Sequence, residues 1–230
     1  MKTKIVFSIL IILILFLRFW KLDNIPPHLR NDEAALGYNA FSILKSARDE
    51  HNHFLPILFQ SFGDWKPGLY IYLTVPIISI LGLNELAVRL PSAISGIVSL
   101  FFVYLIAYKL FLNGRIAFIS ALINGFSPWH IVFSRGAWEA NVSLMLSLGG
   151  IYFFLKSPQK PFFLILSTVC FSLTFLTYHG AKISTPIILT AILLAFWKNI
   201  RSINRKLIAF SLVISFLISF PIITSFFNNQ

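Results

Sequence analysis

Long apolar stretches separated by short polar joints run through almost the whole chain. The apolar stretches cover residues 5 to 20, 67 to 83, 91 to 111, 116 to 133, 141 to 155, 161 to 178, 183 to 197 and 207 to 227. A helix that crosses a bilayer needs about 20 mostly apolar residues, within a range of roughly 17 to 25. The pattern therefore predicts an all-α, polytopic membrane protein with seven or eight spans. "NELAVRLP" (84 to 91), "KLFLNGR" (109 to 115), "SPWHIVFSRGAWEA" (127 to 140), "KSPQK" (156 to 160), "YHGAK" (178 to 182) and "KNIRSINRK" (198 to 206) are the short joints. No repeat or low-complexity segment divides the chain, so residues 1 to 230 read as a single transmembrane domain. The first two stretches are separated by its one long polar segment, residues 21 to 65.

Within that segment "IPPH" ends any helix leaving the first stretch, because Pro26 and Pro27 cannot continue one. A new helix is predicted to start near Asp32. Ala35, Tyr38, Phe41 and Leu44 recur three apart along it, the pattern of a helix lying in the membrane interface. "SARDEHNH", 46 to 53, then reads as a polar turn before the apolar "FLPILF".

Composition agrees with a bilayer and excludes a soluble core: 57% of the residues are hydrophobic, 25 are Phe and 12% are charged. The net charge of +11 matters less than where the charges lie. Six of the eight acids (Asp23, Asp32, Glu33, Asp49, Glu50, Asp64) fall between the first and second stretches, and none follows Glu139. Lys156, Lys160, Arg201, Arg205 and Lys206 sit in short joints, where positive charge marks the cytoplasmic side. Bases scattered between spans are a topological signal, and nucleic acid is excluded as a partner. Lys2 and Lys4 put the N-terminus inside and the acid-rich loop outside. "LFLRFWKLDN" offers no small-residue cleavage site, so the first stretch reads as an uncleaved anchor. Cys170, the one cysteine, rules out an internal disulfide and reads as a packing residue. Eight strict crossings would put the basic joint 198 to 206 outside, against the positive-inside trend. One stretch is therefore expected not to cross, with 67 to 83, which contains Pro76, and the short 141 to 155 as candidates.

Ionisable side chains are nearly absent from the spans, whereas pumps and ion-coupled transporters keep them there. Chemistry is expected at the membrane face. Asp32 and Glu33 suit the start of a helix, capping free N–H groups and meeting the positive end of the macrodipole. A carboxylate at that interface can also take a proton from an acceptor hydroxyl or hold a divalent cation against a phosphate. Asp49, Glu50, His51 and His53 offer further metal-ligating atoms, without the spacing of a tetrahedral site. No cofactor is required; a divalent metal ion is one option. Lys66 stands where the acid loop meets the second stretch. It, Arg89 and Arg135 read either as interfacial anchors or as partners of a lipid phosphate. His130 and His179 read as packed or interfacial, and Pro128 and Pro186 as kinks or helix ends.

Four blocks, "NDEAALGYNAFSIL", "DWKPGLYIYLTVP", "LNELAVRLPSAISG" and "SPWHIVFSRGAWEAN", in this order and spacing, resemble the N-terminal half of the dolichyl-phosphate-mannose-protein mannosyltransferases. That family is glycosyltransferase family 39, with the bacterial lipid-A aminoarabinose transferases as relatives. The resemblance spans about residues 18 to 156. It implies a GT-C fold, a helical bundle with its active site on the outer face in the loop after the first span. It further implies transfer of a sugar, a mannose-like hexose or a pentose, from a polyprenyl-phosphate carrier. The acceptor would be a hydroxyl on protein, lipid or glycan, and the transfer would invert the anomeric centre. By the same resemblance Asp32 matches the essential acidic position and is the general base, and Glu33 completes the acidic pair. Lys66, in "KPxLY", contacts the carrier phosphate; Arg89 matches the base of "ELAxRLPSA". Arg135 and Glu139 match the polar block after the fourth span, and Tyr38 with Glu139 would support the site.

A prokaryotic plasma (inner) membrane is the location this implies, with the site facing outward among membrane lipids. Two departures stand out. Gly68 replaces the second Pro of the frequent "KPPLY" and is expected to loosen the start of that span, and Arg30 and Asn31 precede Asp32 where an aromatic is common. The family is typically about twice this length, so the chain is expected to be the N-terminal part of a longer glycosyltransferase. A non-catalytic, flippase-like subunit for lipid-linked substrates and a truncated, inactive fragment remain as alternatives.

Overall fold

The structure is a computed structural model that describes residues 2–61, 63–197 and 203–228. Among these residues the elements follow in the order α1 (Lys2–Phe19), α2 (Asn31–Ser46), β1 (Leu58–Ser61), β2 (Asp64–Pro67), α3 (Leu69–Leu81), α4 (Glu85–Phe111), α5 (Gly114–Gly125), α6 (Pro128–Arg135), α7 (Glu139–Lys156), α8 (Phe162–Phe175), α9 (Ala181–Ala195) and α10 (Arg205–Asn228). The expected all-α architecture holds, with one short antiparallel ribbon added between α2 and α3.

Helix α2 begins where the proline pair predicts. Its first turn carries Asp32 and Glu33, and the Arg30 N–H donates back to Glu33 Oε2 at 3.0 Å, closing that turn. Ala47, left-handed at φ 56°, ends the helix. The face α2 buries is not the expected stripe. Glu33, Leu36, Gly37, Ala40 and Ile43 pack inward, while Tyr38 and Leu44 stay exposed. Gly37 is needed for this packing, since a Cβ there would come within 2.6 Å of the Val88 side chain. Leu36, Ala40 and Ile43 join Tyr70, Ile71 and Val88 in one core that ties α2 to α3 and to the first turns of α4.

Helix α3 is the helical part of the stretch 67 to 83. Its 13 residues span about 20 Å at 1.5 Å each, against a hydrocarbon core of about 30 Å. It packs along α2, with Tyr70, Ile71 and Ile78 in the core shared with Leu36, Ala40 and Ile43 and with Leu83, just after α3, against Gly37; the Leu69 N–H donates to the Leu176 carbonyl at the end of α8. Gly82, at φ 75°, and Asn84, whose Oδ1 accepts the Ala87 N–H at 2.8 Å, then turn the chain into α4.

The remaining helices run alternately between two ends. One end gathers the C-terminus of α1, the loop to α2, the ribbon, the α6–α7 joint and the α8–α9 joint. At the other, Lys109, Leu155, Pro158 and Phe196 line one cavity, bringing together the ends of α4, α7 and α9. Helix α4 and the stretch Arg205–Ile222 are each long and apolar enough to cross a membrane alone, and α5 with α6, bent by 61°, make a third such element. Pro128 opens α6 directly after that bend, and Pro186 lies inside α9. Helix α8, with 14 residues, is shorter than the stretch that predicted it, and α9, with 15, starts two residues earlier than its stretch. Of the basic joint before α10, Ile203 lines a cavity with Phe154 of α7 and Leu164 of α8. Residues 198–202 of that joint, like Met1, lie outside the described residues.

Polar side chains stitch the passes together. Ser92 Oγ donates to the Phe133 carbonyl and Asn141 Nδ2 to the Ser92 carbonyl, each at 2.8 Å, joining α4, α6 and α7.

Candidate active site

Consecutive residues on a helix point about 100° apart, and at the start of α2 this separates the two carboxylates. Asp32 turns toward the ribbon. Its Oδ1 accepts from Lys66 Nζ on β2, and the carboxylate stays 60% exposed while the lysine is 18% exposed. Glu33 turns inward and is buried. Its Oε1 accepts from Arg89 Nε at 3.2 Å and from the Ala137 N–H at 2.8 Å, while Oε2 holds the Arg30 N–H.

The two arginines expected at phosphates are differently placed. Arg89 is fully buried, and its guanidinium donates to Glu33 and to the carbonyls of Leu22 and His28 at 2.9 and 2.7 Å. It clamps the α1–α2 loop onto α4. Arg135, at the end of α6, donates to the carbonyls of Leu17, Trp20 and Ile25 at 2.8, 2.7 and 2.8 Å. These lie in and just beyond the last turn of α1, where the unpaired carbonyls of a helix C-terminus attract a cation. In the structure the donors of both are directed to backbone oxygens and, in Arg89, to Glu33. Of the three basic residues singled out, only Lys66 meets Asp32.

Lys66 owes its position to the ribbon. Its register pairs Leu58 with Pro67, Phe59 with Lys66, Gln60 with Trp65 and Ser61 with Asp64. The Gly68 N–H donates to the Ile57 carbonyl at 2.9 Å, so hydrogen-bonded pairs alternate from there. Phe59–Lys66 is such a pair. Pro67 falls at a non-bonded position, where its missing N–H costs nothing. Gly68 does not loosen this region, contrary to expectation. A Cβ at that position would lie 2.3 Å from the Phe59 ring, and a proline would lose the bond to Ile57. Glycine is what allows the close approach.

Glu139 opens α7, in the polar joint before the apolar stretch 141 to 155. Burial lifts its carboxyl above the ordinary carboxylate range; its own backbone hydrogen bond and then Lys66 pull it back, and Asp32 pushes it up. It therefore shares an electrostatic neighbourhood with the Asp32–Lys66 pair. Tyr38, on the same helix as Asp32, is 53% exposed. On the other flank of the α2 N-terminus, a cavity of about 250 Å³ is lined by Ile25, Pro26, Arg30, Glu33, Arg135 and Trp138 among others, with the Arg30 guanidinium 5.2 Å over the Trp138 ring.

The polar turn after α2 is organised within itself. Asp49 is buried and accepts from the N–H groups of His51 and His53 and, at 3.0 Å, from the His53 ring; Glu50 exchanges hydrogen bonds with Asn39. Among the described residues no group of three or more His, Cys, Asp or Glu side chains is placed to hold a metal ion.

Two features escaped the sequence reading. Arg18, in the last turn of α1, is fully buried and donates to the carbonyls of Ile14 and Gly125, with His130 Nδ1 2.8 Å from its Nη2. A lone arginine two residues before the end of an apolar stretch looks like an interfacial anchor, and only its long-range partners reveal a strut between α1, α5 and α6. His179 is the other; its ring bonds to the backbone of β2.

The family model described as dolichyl-phosphate-mannose-protein mannosyltransferase matches residues 66–224, beginning at Lys66. No curated protein sequence matches the chain significantly. Among solved structures, ArnT from Cupriavidus metallidurans superposes in its apo state with a TM-score of 0.72 at 16% identity, covering 96% of this chain and 41% of that one. The same protein bound to undecaprenyl phosphate superposes with a TM-score of 0.74 at 18% identity, covering 93% and 40%. The fold is therefore the GT-C membrane fold, and the chain spans about two fifths of the length of ArnT.

Proposed function

The chain belongs to the dolichyl-phosphate-mannose-protein mannosyltransferase family, and from this premise we propose that it serves a membrane glycosyltransferase whose donor is a sugar carried on a polyprenyl phosphate. The observation that carries the reading is the Asp32–Lys66 pair, an exposed carboxylate and an ammonium held together at the end of the bundle by two different elements. Glycosyl transfer from a phosphate needs these two charges at one place. The acceptor oxygen forms a bond to the anomeric carbon as the bond from that carbon to the phosphate oxygen breaks. The hydroxyl proton passes to Asp32, and the electron pair leaves with the phosphate, whose charge Lys66 meets. Attack from the face opposite the phosphate inverts the anomeric centre.

In the structure the ammonium sits on the carboxylate, so donor binding exchanges one anionic partner of Lys66 for another and leaves Asp32 free to accept a proton. The buried charges serve a different end in this reading. Glu33 and Arg89 are positioning residues: they fix the first turn of α2 against α4 and the α6–α7 joint, so that Asp32 is aimed from a rigid base. Arg135 performs the same service for the loop that enters α2. Glu139 is a supporting carboxyl at the same mouth. The basic residues Lys109, Arg115, Lys156 and Lys160 cluster toward the far end, which supports a cytoplasmic far end and an outward-facing site by the positive-inside trend. A bacterial plasma membrane is the setting we propose. Undecaprenyl phosphate is bound by the structurally similar ArnT, and by analogy it is the first carrier to try. The acceptor class stays open among protein, lipid and glycan hydroxyls.

The test is transfer of label from polyprenyl-phosphate hexose and pentose donors to membrane acceptors, in membranes carrying the protein or its Asp32→Asn variant. Label transfer that depends on Asp32 supports the reading. Equal transfer with both proteins refutes it.

A further inference from the structure

On the reading that Lys66 meets the carrier phosphate, we infer that His179 is a positioning residue for this lysine, acting through the backbone of β2, and that Lys182 sets the histidine tautomer this requires. A two-stranded ribbon leaves half of its backbone groups without a ladder partner. The alternation fixed by Gly68 and Ile57 makes Gln60–Trp65 a non-bonded pair, so the Trp65 carbonyl points away from β1. His179, in the α8–α9 joint, fills that position: its Nε2–H donates to the Trp65 carbonyl. Four residues along the strand's path, the Leu69 N–H donates to the Leu176 carbonyl at 2.9 Å. The joint therefore grips the chain on both sides of Lys66, at residues 65 and 69.

An imidazole that donates from Nε2 while neutral has an acceptor lone pair on Nδ1. Lys182 Nζ donates to that nitrogen at 2.9 Å. The lysine stands in the first turn of α9, a turn without an acidic residue, where the helix macrodipole opposes a cation. Asp64 offsets this for the ammonium, and through its bond to Nδ1 the lysine selects the tautomer that can hold β2. His179, Lys182 and Trp65 thus form a relay from the α8–α9 joint to the strand that carries the phosphate contact. Displacement of a binding group by about 1 Å is enough to weaken a site severely.

The test is binding of undecaprenyl phosphate to the purified chain in lipid nanodiscs, comparing the wild type with Lys66→Gln, His179→Phe, His179→Asn, His179→Gln and the double variant Lys66→Gln/His179→Phe. Gel-filtration profile and circular dichroism serve as folding controls. Losing the bond to Trp65 in His179→Phe or His179→Asn is expected to weaken binding by about tenfold. His179→Gln, whose carboxamide nitrogen reaches where Nε2 lies, is expected to stay within about threefold of wild type. In the Lys66→Gln background, His179→Phe is expected to change affinity by less than about twofold, because the group it positions is gone. A loss of the same size with and without Lys66, or wild-type binding by both His179→Phe and His179→Asn, overturns the inference. If Lys66→Gln alone binds as the wild type does, the proposed donor site fails, and the inference fails with it.

Discussion

Replacing Glu33 by Ala isolates the structural half of the acidic pair. Glu33 accepts from Arg89, from the Ala137 N–H and from the Arg30 N–H, and it is buried, as is Arg89. Alanine leaves the buried Arg89 guanidinium with two carbonyl partners and no counter-charge. Removing one member of a buried ion pair costs about 3–5 kcal/mol, most of it the penalty of the stranded charge. For a chain of this size each kcal/mol lowers the melting temperature by about 2–4 °C, so a fall of about 6–20 °C is expected. Glu33→Gln keeps one acceptor oxygen, enough for Arg89 and the Ala137 N–H but not also for the Arg30 N–H, and it should fall between the wild type and Glu33→Ala. Asp32→Ala is the control: that pair is largely solvent-exposed on the carboxylate side, and exposed pairs are worth about 0–1 kcal/mol. The assay is thermal unfolding in detergent, followed by gel filtration or tryptophan fluorescence. A Glu33→Ala melting curve that overlays that of Asp32→Ala would refute the division of labour between the two carboxylates.

Gly68→Ala drives a methyl group into the buried Phe59 ring, and overpacking of this kind costs about 1–3 kcal/mol; a lower melting temperature together with weaker donor binding is the expected result. Arg135→Ala strips the C-terminal carbonyls of α1 of their donors and should destabilise the chain, yet change undecaprenyl phosphate affinity little when measured on folded protein. A large loss of affinity there would restore Arg135 as a phosphate contact. For Glu139 the sign follows from burial. Its folded-state carboxyl titrates above the ordinary range, so ionising it opposes folding as pH rises from its unfolded to its folded value. Glu139→Gln should therefore melt with the wild type below the ordinary carboxylate range and above it once the wild-type carboxyl has ionised. Melting series from about pH 4 to pH 8 check this, and a variant less stable than the wild type at the alkaline end would contradict it.

The polar map of the chain was legible in advance because it rests on composition and breakers. Pro26 and Pro27, the acid-rich segment and the start of α2 all stand where periodicity and capping put them. The pairing of Asp32 with Lys66 could be suspected only from the resemblance, since 34 residues separate them. Adjacent acids look alike in a string of letters; the 100° step of a helix makes one a surface group and the other a buried strut. Likewise, Arg89 and Arg135 carry the same charge as Lys66, and only their distant carbonyl partners reveal that they hold loops. The stretch 67 to 83 has the hydropathy of a span, but Gly68 and Gly82 bound a helix of 13 residues. The ribbon was hidden because "FLPILFQSFGDWKP" reads as apolar chain unless Gly63, at φ 82° just before β2, is noticed.

The most direct measurement compares turnover with donor binding in Asp32→Asn. If Asp32 is the base, transfer from the labelled donor should fall by about 10²–10⁴, while undecaprenyl phosphate affinity and melting temperature stay near wild type. Undiminished transfer by a folded Asp32→Asn protein would contradict the account.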